Sequence, residues 1–349
     1  MPVWPHHRGW KGSERVGDRV EFPPYYYTGE RNRMQTVYKY SPLIDSFFIK
    51  PTIKLSNSQL LNDPFESIAS DELCDSLISI AAESNKEMSF PLSETSKTVN
   101  DLIMFNGIVS FSETQRNLLM WAHYGNQHTG MCVGFDKMLF KDIPNEQRLN
   151  VDITIRTPAK INYDNYRDIE SGLITSRPLQ EAIVHHLLKK SNDWLFEKEH
   201  RSIIPMHNSD GFVFNGNPNS RIFLQGKTTN TILSDMIDLY LYENKIKKIN
   251  ESTFEFIKEA ISPLEYSIFA GSKDVSMLKN IEEKYVKSVY FGCRAASEKI
   301  ENAYNNLKSN EKLKHIEVYH YTLNKSRFEL NKNIVDEEYI INLKEKNEY

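Results

Sequence analysis

Residues 110–136, SFSETQRNLLMWAHYGNQHTGMCVGFD, leave few ways to fold. The apolar stretch Gly107–Phe111 reads as a strand. Ser112 stands three residues before Gln115, the spacing of a capping box, so a helix is expected from Ser112 to about Tyr124. Gly125 can take the left-handed conformation that stops a helix. Residues 130–135, GMCVGF, form the next strand, and Gly134 inside it implies a close backbone approach. The run is thus a strand–helix–strand frame. Ser112 caps the helix, Trp121 anchors it, and His123 or Tyr124 reaches a cleft from its end.

Around this frame, strands and helices follow no regular βαβ rhythm, which argues for an α+β class. TVYKYS, residues 36–41, reads as a strand with Val37, Lys39 and Ser41 on one face and Tyr38 and Tyr40 on the other. A helical turn around Leu43–Phe48 leads to a short strand at Thr52–Ser56. Asn62-Asp63-Pro64-Phe65-Glu66 is a turn, because Asn and Asp bond their own backbone and Pro fixes φ; Phe65 is its expected buried plug. Residues 67–106 read as helical and 151–163 as one or two strands. A helix at 178–191 carries Ile183, Leu187 and Leu188 on one face and leads to a strand at Trp194–Pro205. Strands are expected at Val286–Gly292, 316–322 and 327–330, with a helix at 297–308.

Four segments follow. Residues 1–33, rich in Pro, Gly, Arg, His and Tyr, lack an apolar signal core and read as a disordered leader, with Met34 a natural start. Residues 34–227 and 286–332 form one α+β domain. Residues 228–285, rich in Lys, Asn and Glu, read as a helical insertion, and 333–349 as a C-terminal tail.

Composition narrows the function. The balance of 43 Lys+Arg against 47 Asp+Glu gives a net charge of −4, so no global basic field points to nucleic acid. No apolar run is long enough to span a bilayer, so no membrane partner is expected. Cys74, Cys132 and Cys293 are widely spaced and form no CxxC pair; an odd count without a signal peptide fits a reducing, cytoplasmic setting. His128 lies five residues after His123, off the HExxH spacing, and no metal is expected. The glycine-rich dinucleotide fingerprint, the P-loop and the hydrolase elbow are missing from the sequence.

The charged cluster Glu197-Lys198-Glu199-His200-Arg201 is the sharpest chemical signal. In a strand, Glu197, Glu199 and Arg201 share a face. Two carboxylates that close raise one pKa, which suits acid–base work. The plain alternative is a salt-bridged, solvated face, but Trp194 and Phe196 before it and Ile203-Ile204 after it mark a strand entering a core. Taken alone, His123 reads as a hydrogen-bonded core histidine, Lys39 as an exposed lysine and Tyr40 as a buried tyrosine.

The ordered motifs Tyr38-Lys39-Tyr40, Asn62-Asp63-Pro64-Phe65-Glu66, Phe111-Ser112-Glu113, Leu119-Met120-Trp121-Ala122-His123-Tyr124, Gly130…Gly134-Phe135-Asp136 and Trp194…Arg201 resemble a widespread bacterial family catalogued as a domain of unknown function, family 2971 of that series. Val289-Tyr290-Phe291-Gly292-Cys293, Val318-Tyr319 and Phe328-Glu329-Leu330 extend the resemblance over about residues 36–330. The opening is also similar, more weakly, to mono-ADP-ribosyltransferases that modify nucleic acids or proteins. That resemblance implies a mixed, mainly antiparallel split sheet flanked by helices, with an ADP-ribosyltransferase-like core.

It also implies NAD as substrate and a macromolecular acceptor, protein or nucleic acid, in a toxin or phage-defence setting. Glu199, with Glu197, would be catalytic, accepting a hydrogen bond from the nicotinamide ribose. Lys39 or Tyr40 would occupy the first-strand motif and Tyr124 or Ser112 the middle one, with His123 and Arg201 completing the nucleotide-binding set. This chain departs from the pattern at Lys39, where His or Arg is expected; a lysine lacks the paired contacts of arginine. The alternative is a catalytically inactive module of the same fold that senses a nucleotide or a protein.

Overall fold

The structure is a computed structural model. It describes residues 35–70, 73–75, 103–144, 148–149, 152–167, 179–224 and 227–345. The description concerns the compact unit Met34–Tyr349. The expected leader, 1–33, and most of the helix expected over 67–106 lie outside the described residues.

The class is α+β, built on an eight-stranded, mainly antiparallel sheet. Its order is Leu330–Ile334, Glu317–Leu323, Val286–Phe291, Met131–Asp136, Thr36–Ser41, Asn106–Ser112, Glu199–Pro205, Ile155–Lys160. Only the pairing of Val286–Phe291 with Glu317–Leu323 is parallel within it. A second sheet of five strands runs Ile246–Lys248, Thr253–Phe256, Gly211–Phe214, Val275–Asn280, Thr52–Leu55. The two sheets touch through an isolated bridge, Ser56 to Ile108, with backbone bonds of 2.9 and 2.8 Å.

Alternation along the central strands gives the large sheet two different cores. Val37, Val133, Val289 and Val318 enter a broad Val/Ile/Leu/Phe core shared with the second sheet. The alternate residues Tyr40, Cys132 and Tyr290 stand in register on the other face, where Trp121 and Tyr321 cover them. Tyr40 meets Trp121 edge-on at 5.1 Å, and Tyr290 stacks on Tyr319 at 4.9 Å. Tyr38 lies beside Gly134: a Cβ there would come within 2.5 Å of Ser288 Oγ and 3.2 Å of the Tyr38 ring. What approaches this glycine closely is side chains, Ser288, Thr36 and Tyr38, and not a second backbone.

Several expectations need correction. The segment 228–285 is not a helical insertion. It holds the strands Ile246–Lys248, Thr253–Phe256 and Val275–Asn280 besides the helices Leu233–Tyr242 and Tyr266–Ala270. In Thr253–Phe256, Phe254 and Phe256 are buried and their neighbours are not, a period of two. The Lys, Asn and Glu residues that suggested helix largely decorate the exposed positions. Val275–Asn280 pairs with Thr52–Leu55, so the segment is built into the fold. Nor is 333–349 simply a tail. Residues Leu330–Ile334 close one edge of the sheet, and in the following helix, Glu337–Glu345, Ile340 is buried and Tyr339 hydrogen-bonds His320.

The helix of the opening run is shorter than expected, Leu118–His123. Ser112 ends its strand instead of capping the helix. Asn117 is the cap, its side chain accepting from the backbone N–H of Leu119 and Met120. The left-handed stop falls on Asn126, Gln127 and His128, with φ of 47°, 53° and 70°, and not on Gly125. Gly125 serves a different need: a Cβ there would sit 2.6 Å from the Trp121 ring. Phe65 is no plug. It is 56% exposed, and Asp63 and Glu66 are the buried residues of that turn. Among the described residues, no helix is long and apolar enough to cross a membrane.

Candidate functional site

A cavity of about 220 Å³ opens where three neighbouring strands of the large sheet end near the Asn62–Glu66 turn. Thr36–Ser41 contributes Tyr38, Lys39 and Tyr40; Asn106–Ser112 contributes Ser110 and Ser112; Glu199–Pro205 contributes Glu199 and Arg201. Tyr124 reaches in from just beyond the helix Leu118–His123. Glu66 comes from the turn and Lys190 from a two-residue strand paired with Asn162–Tyr163.

Glu197 arrives by an unexpected route. The strand expected over Trp194–Pro205 begins only at Glu199; Asn192–Glu197 is a 3-10 helix. Lys198 between them is left-handed, φ 47°, so Glu197 enters from a turn and Glu199 from a strand. The i, i+2 geometry fails, yet both carboxylates reach the same cavity. The helix cap and the end of the neighbouring strand hold this turn in place: Asn117 donates its amide N–H to Phe196 O at 2.6 Å, and Ser112 Oγ donates to Glu197 O at 2.8 Å.

Three carboxylates and two cations interlock here, all buried. Arg201 donates from Nε to Glu199 Oε1 at 2.7 Å and from Nη2 to Glu199 Oε2 at 3.0 Å. Nη2 also reaches Glu66 Oε1 at 2.9 Å, and Nη1 donates to Leu187 O at 2.7 Å. Lys190 Nζ lies 2.7 Å from Glu197 Oε2, 3.3 Å from Glu199 Oε2 and 3.4 Å from Glu66 Oε1. It also sits 4.6 Å from the Trp194 ring centre. Tyr124 donates its hydroxyl to Glu197 Oε1.

The two glutamates titrate apart. Burial works against the charge of Glu199, but Arg201 and Lys190 outweigh it and hold its carboxyl at about 2. For Glu197, burial and the charge of Glu199 win, and its pKa is raised. Burial brings Lys39 down to about 8, although Glu199 partly supports its charge. Its Nζ donates to Ser110 O at 3.1 Å. The cavity therefore holds a fixed anion, a carboxyl whose pKa is raised, and a lysine whose charge is lost above about pH 8. Such a separation of pKa values is typical of sites that move protons.

Of the residues expected to act, Lys39, Tyr40, Ser112, Tyr124, Glu197, Glu199 and Arg201 line this one cavity. His123 does not. It is exposed, with its ring 5.9 Å from that of Phe196. Tyr40 and Ser112 have their hydroxyls committed to the frame: Tyr40 donates to Thr114 O at 2.7 Å, Ser112 to Glu197 O. Sequence reasoning missed Glu66, Lys190, Tyr38 and Ser110. A Glu closing an Asn-Asp-Pro turn is a signal that was on view. Lys190 gave none, because it looked like the solvated end of a helix.

Residues 120–202 match the model of a family described as Protein of unknown function (DUF2971). No curated protein and no solved structure matches the chain. The DUF2971 segment carries Tyr124, Lys190, Glu197, Glu199 and Arg201, the helix-side and acidic walls of the cavity. Lys39, Ser110 and Glu66 lie before it. Among the described residues, no group of three or more metal-ligating side chains is placed to hold an ion.

Proposed function

We propose that the cavity receives the nicotinamide–ribose end of NAD and that the chain transfers ADP-ribose to a macromolecular acceptor. The observation that supports this most is positional. Lys39, the Ser110/Ser112 pair and Glu199 lie on three adjacent strands and line one cavity. At about 220 Å³ the space suits one end of a dinucleotide, since pockets for whole drug-sized ligands run to roughly 300–1,000 Å³.

Glu199 is ionised and fixed by Arg201, so it can stabilise positive charge on the ribose as the bond to nicotinamide stretches. In the transfer the C1′–nitrogen bond breaks and neutral nicotinamide leaves with the electron pair. The acceptor's nucleophilic atom bonds to C1′, and its proton passes to Glu197 and on to water. Glu197, with its raised pKa, is suited to take that proton. Tyr124 orients Glu197 through its hydroxyl. Lys39, charged below about pH 8, is a point contact for a phosphate. An NAD-consuming activity of this kind would suit a toxin or phage-defence role.

The test is labelled NAD with purified protein and cell extract. Transfer or nicotinamide release that Glu199→Gln abolishes is the expected result; none from wild type, or equal rates in both, overturns it. One observation favours a second reading, a catalytically inactive nucleotide sensor: Arg201 already grips both oxygens of Glu199. Saturable thermal stabilisation by NAD without turnover would select that reading.

A further inference from the structure

The cavity has two unlike walls, one acidic and one built where the two sheets meet. We infer that Lys54 and Ser56, from the five-stranded sheet and its end, join Lys39 at the mouth of the cavity to hold a phosphate group. This deepens the nucleotide reading and rests on it for what the phosphate is attached to. The affinity for phosphate does not need the transfer.

The acidic wall has its donors spent. Lys190 is held by three glutamates, and Arg201 donates to Glu199, Glu66 and Leu187 O. Ser110 bonds Glu199 through its side chain. The hydroxyls of Tyr40, Ser112 and Tyr124 donate to Thr114 O, Glu197 O and Glu197 Oε1. An anion on this wall would have to break bonds already made.

The other wall has donors to spare. Ile53 and Leu55 enter the core, so Lys54 lies on the opposite face and shares it with Ser56. Ser56 lines the cavity and bridges to Ile108 through its backbone alone. Its hydroxyl is partly exposed and makes no hydrogen bond among the described residues. Lys54 is exposed and has no hydrogen bond or ion pair among the described residues. Lys39 gives one N–H to Ser110 O and keeps the others of its ammonium.

The two lysines act on each other. Burial most of all lowers the pKa of Lys39, Glu199 partly restores it, and the charge of Lys54 lowers it again. Protein crowded around Lys54 lowers its pKa too, although the side chain reaches water. Two repelling ammonium groups and an idle hydroxyl converge beside a cavity whose carboxylates are already paired. A phosphate placed between them cancels the repulsion. Its oxygens form a tetrahedron, so it accepts from three separate directions, and lysine meets it as a point charge. A carboxylate has its oxygens in one plane and serves these three donors less well.

The phosphate can be inorganic or part of a nucleotide. Calorimetric titration at pH 7 with inorganic pyrophosphate, ADP and succinate separates these. The expected result is saturable ADP binding, at least tenfold weaker in Lys54→Gln and at least threefold weaker in Ser56→Ala. Succinate, a dianion without phosphate, binds at least tenfold more weakly than ADP. Lys248→Gln removes the same charge from an exposed position of the same sheet and keeps ADP affinity within twofold. Pyrophosphate binding as tight as that of ADP assigns the site to free phosphates; tighter ADP binding assigns it to a nucleotide. No saturable binding of either phosphate compound, equal succinate binding, undiminished affinity in Lys54→Gln, or an equal loss in Lys248→Gln overturns the inference. Lys54-dependent ADP binding with no NAD turnover would leave this inference standing and end the transferase reading. NAD turnover with ADP binding that ignores Lys54 would do the reverse.

Discussion

Two carboxylate–cation clusters in this molecule use the same ingredients to different ends. In the five-stranded sheet region, Asp210 takes Lys258 at 2.6 Å, Lys279 at 3.0 Å and the Asn280 backbone N–H at 2.8 Å. Burial opposes its charge, but the two lysines and that N–H prevail and lower its pKa. It is a fastener, satisfied and without an adjoining cavity among those described. The cluster around Lys190 is also dense, yet one oxygen of Glu66 is unpartnered and Glu197 is pushed up instead of down. It also borders open space. Ion pairing alone does not mark a site; unfinished pairing beside a cavity does.

Removing Arg201 should show the contrast most strongly. Arg201→Ala leaves Glu199 and Glu66 buried without their main cation, and a stability loss of about 3–5 kcal/mol is expected by urea unfolding. A loss below about 1 kcal/mol would place this cluster with ordinary surface pairs. Glu199→Gln comes next. NAD turnover should fall about 100-fold or more, the scale of a lost transition-state electrostatic partner. A similar loss in Asp210→Asn would erase the distinction between the clusters.

Lys39 gives a pH test. Its ordinary value is 10.5 and its folded value about 8, so the unfolded chain binds more protons between these limits. Stability contributed by this group therefore rises from about pH 8 to 10.5. Nucleotide affinity should move oppositely, falling as the charge is lost through pH 8. In Lys39→Arg the charge persists and both trends should flatten, as melting curves and titrations across pH 7–10 would report. A wild-type affinity that is level across that range would remove Lys39 from the site. The smallest effect belongs to Asp210→Asn, about 1 kcal/mol and reduced by salt, because its lysines remain partly solvated.

Much of the site could be read from the chain, and for local reasons. Thr36–Ser41 announces itself by alternation, and Asn106–Ser112 and Met131–Asp136 by short apolar runs interrupted or bounded by glycines and polar residues. Glu197 and Glu199 stood out as close carboxylates inside an aromatic and apolar context. What sequence could not give were long-range meetings. Lys190 joins Glu66 only because a helix and a two-residue strand return the chain to the Asn62–Glu66 turn. The 228–285 segment was misread because its polar composition masked the period of two at Phe254 and Phe256. His123 was misplaced because the helix ends at His123 itself, aiming Tyr124 inward and leaving the histidine on the surface.

The contact between Lys190 and Trp194 gives the protein a built-in optical gauge. An ammonium held 4.6 Å from an indole perturbs its excited state, and here that ammonium is tethered to all three cavity glutamates. Trp121 is fully buried in the aromatic cluster that also holds the cavity residues Tyr40 and Met120. A ligand that rearranges the charges around Lys190 should therefore change the emission of Trp194, so occupancy of the cavity could be followed in real time without a label.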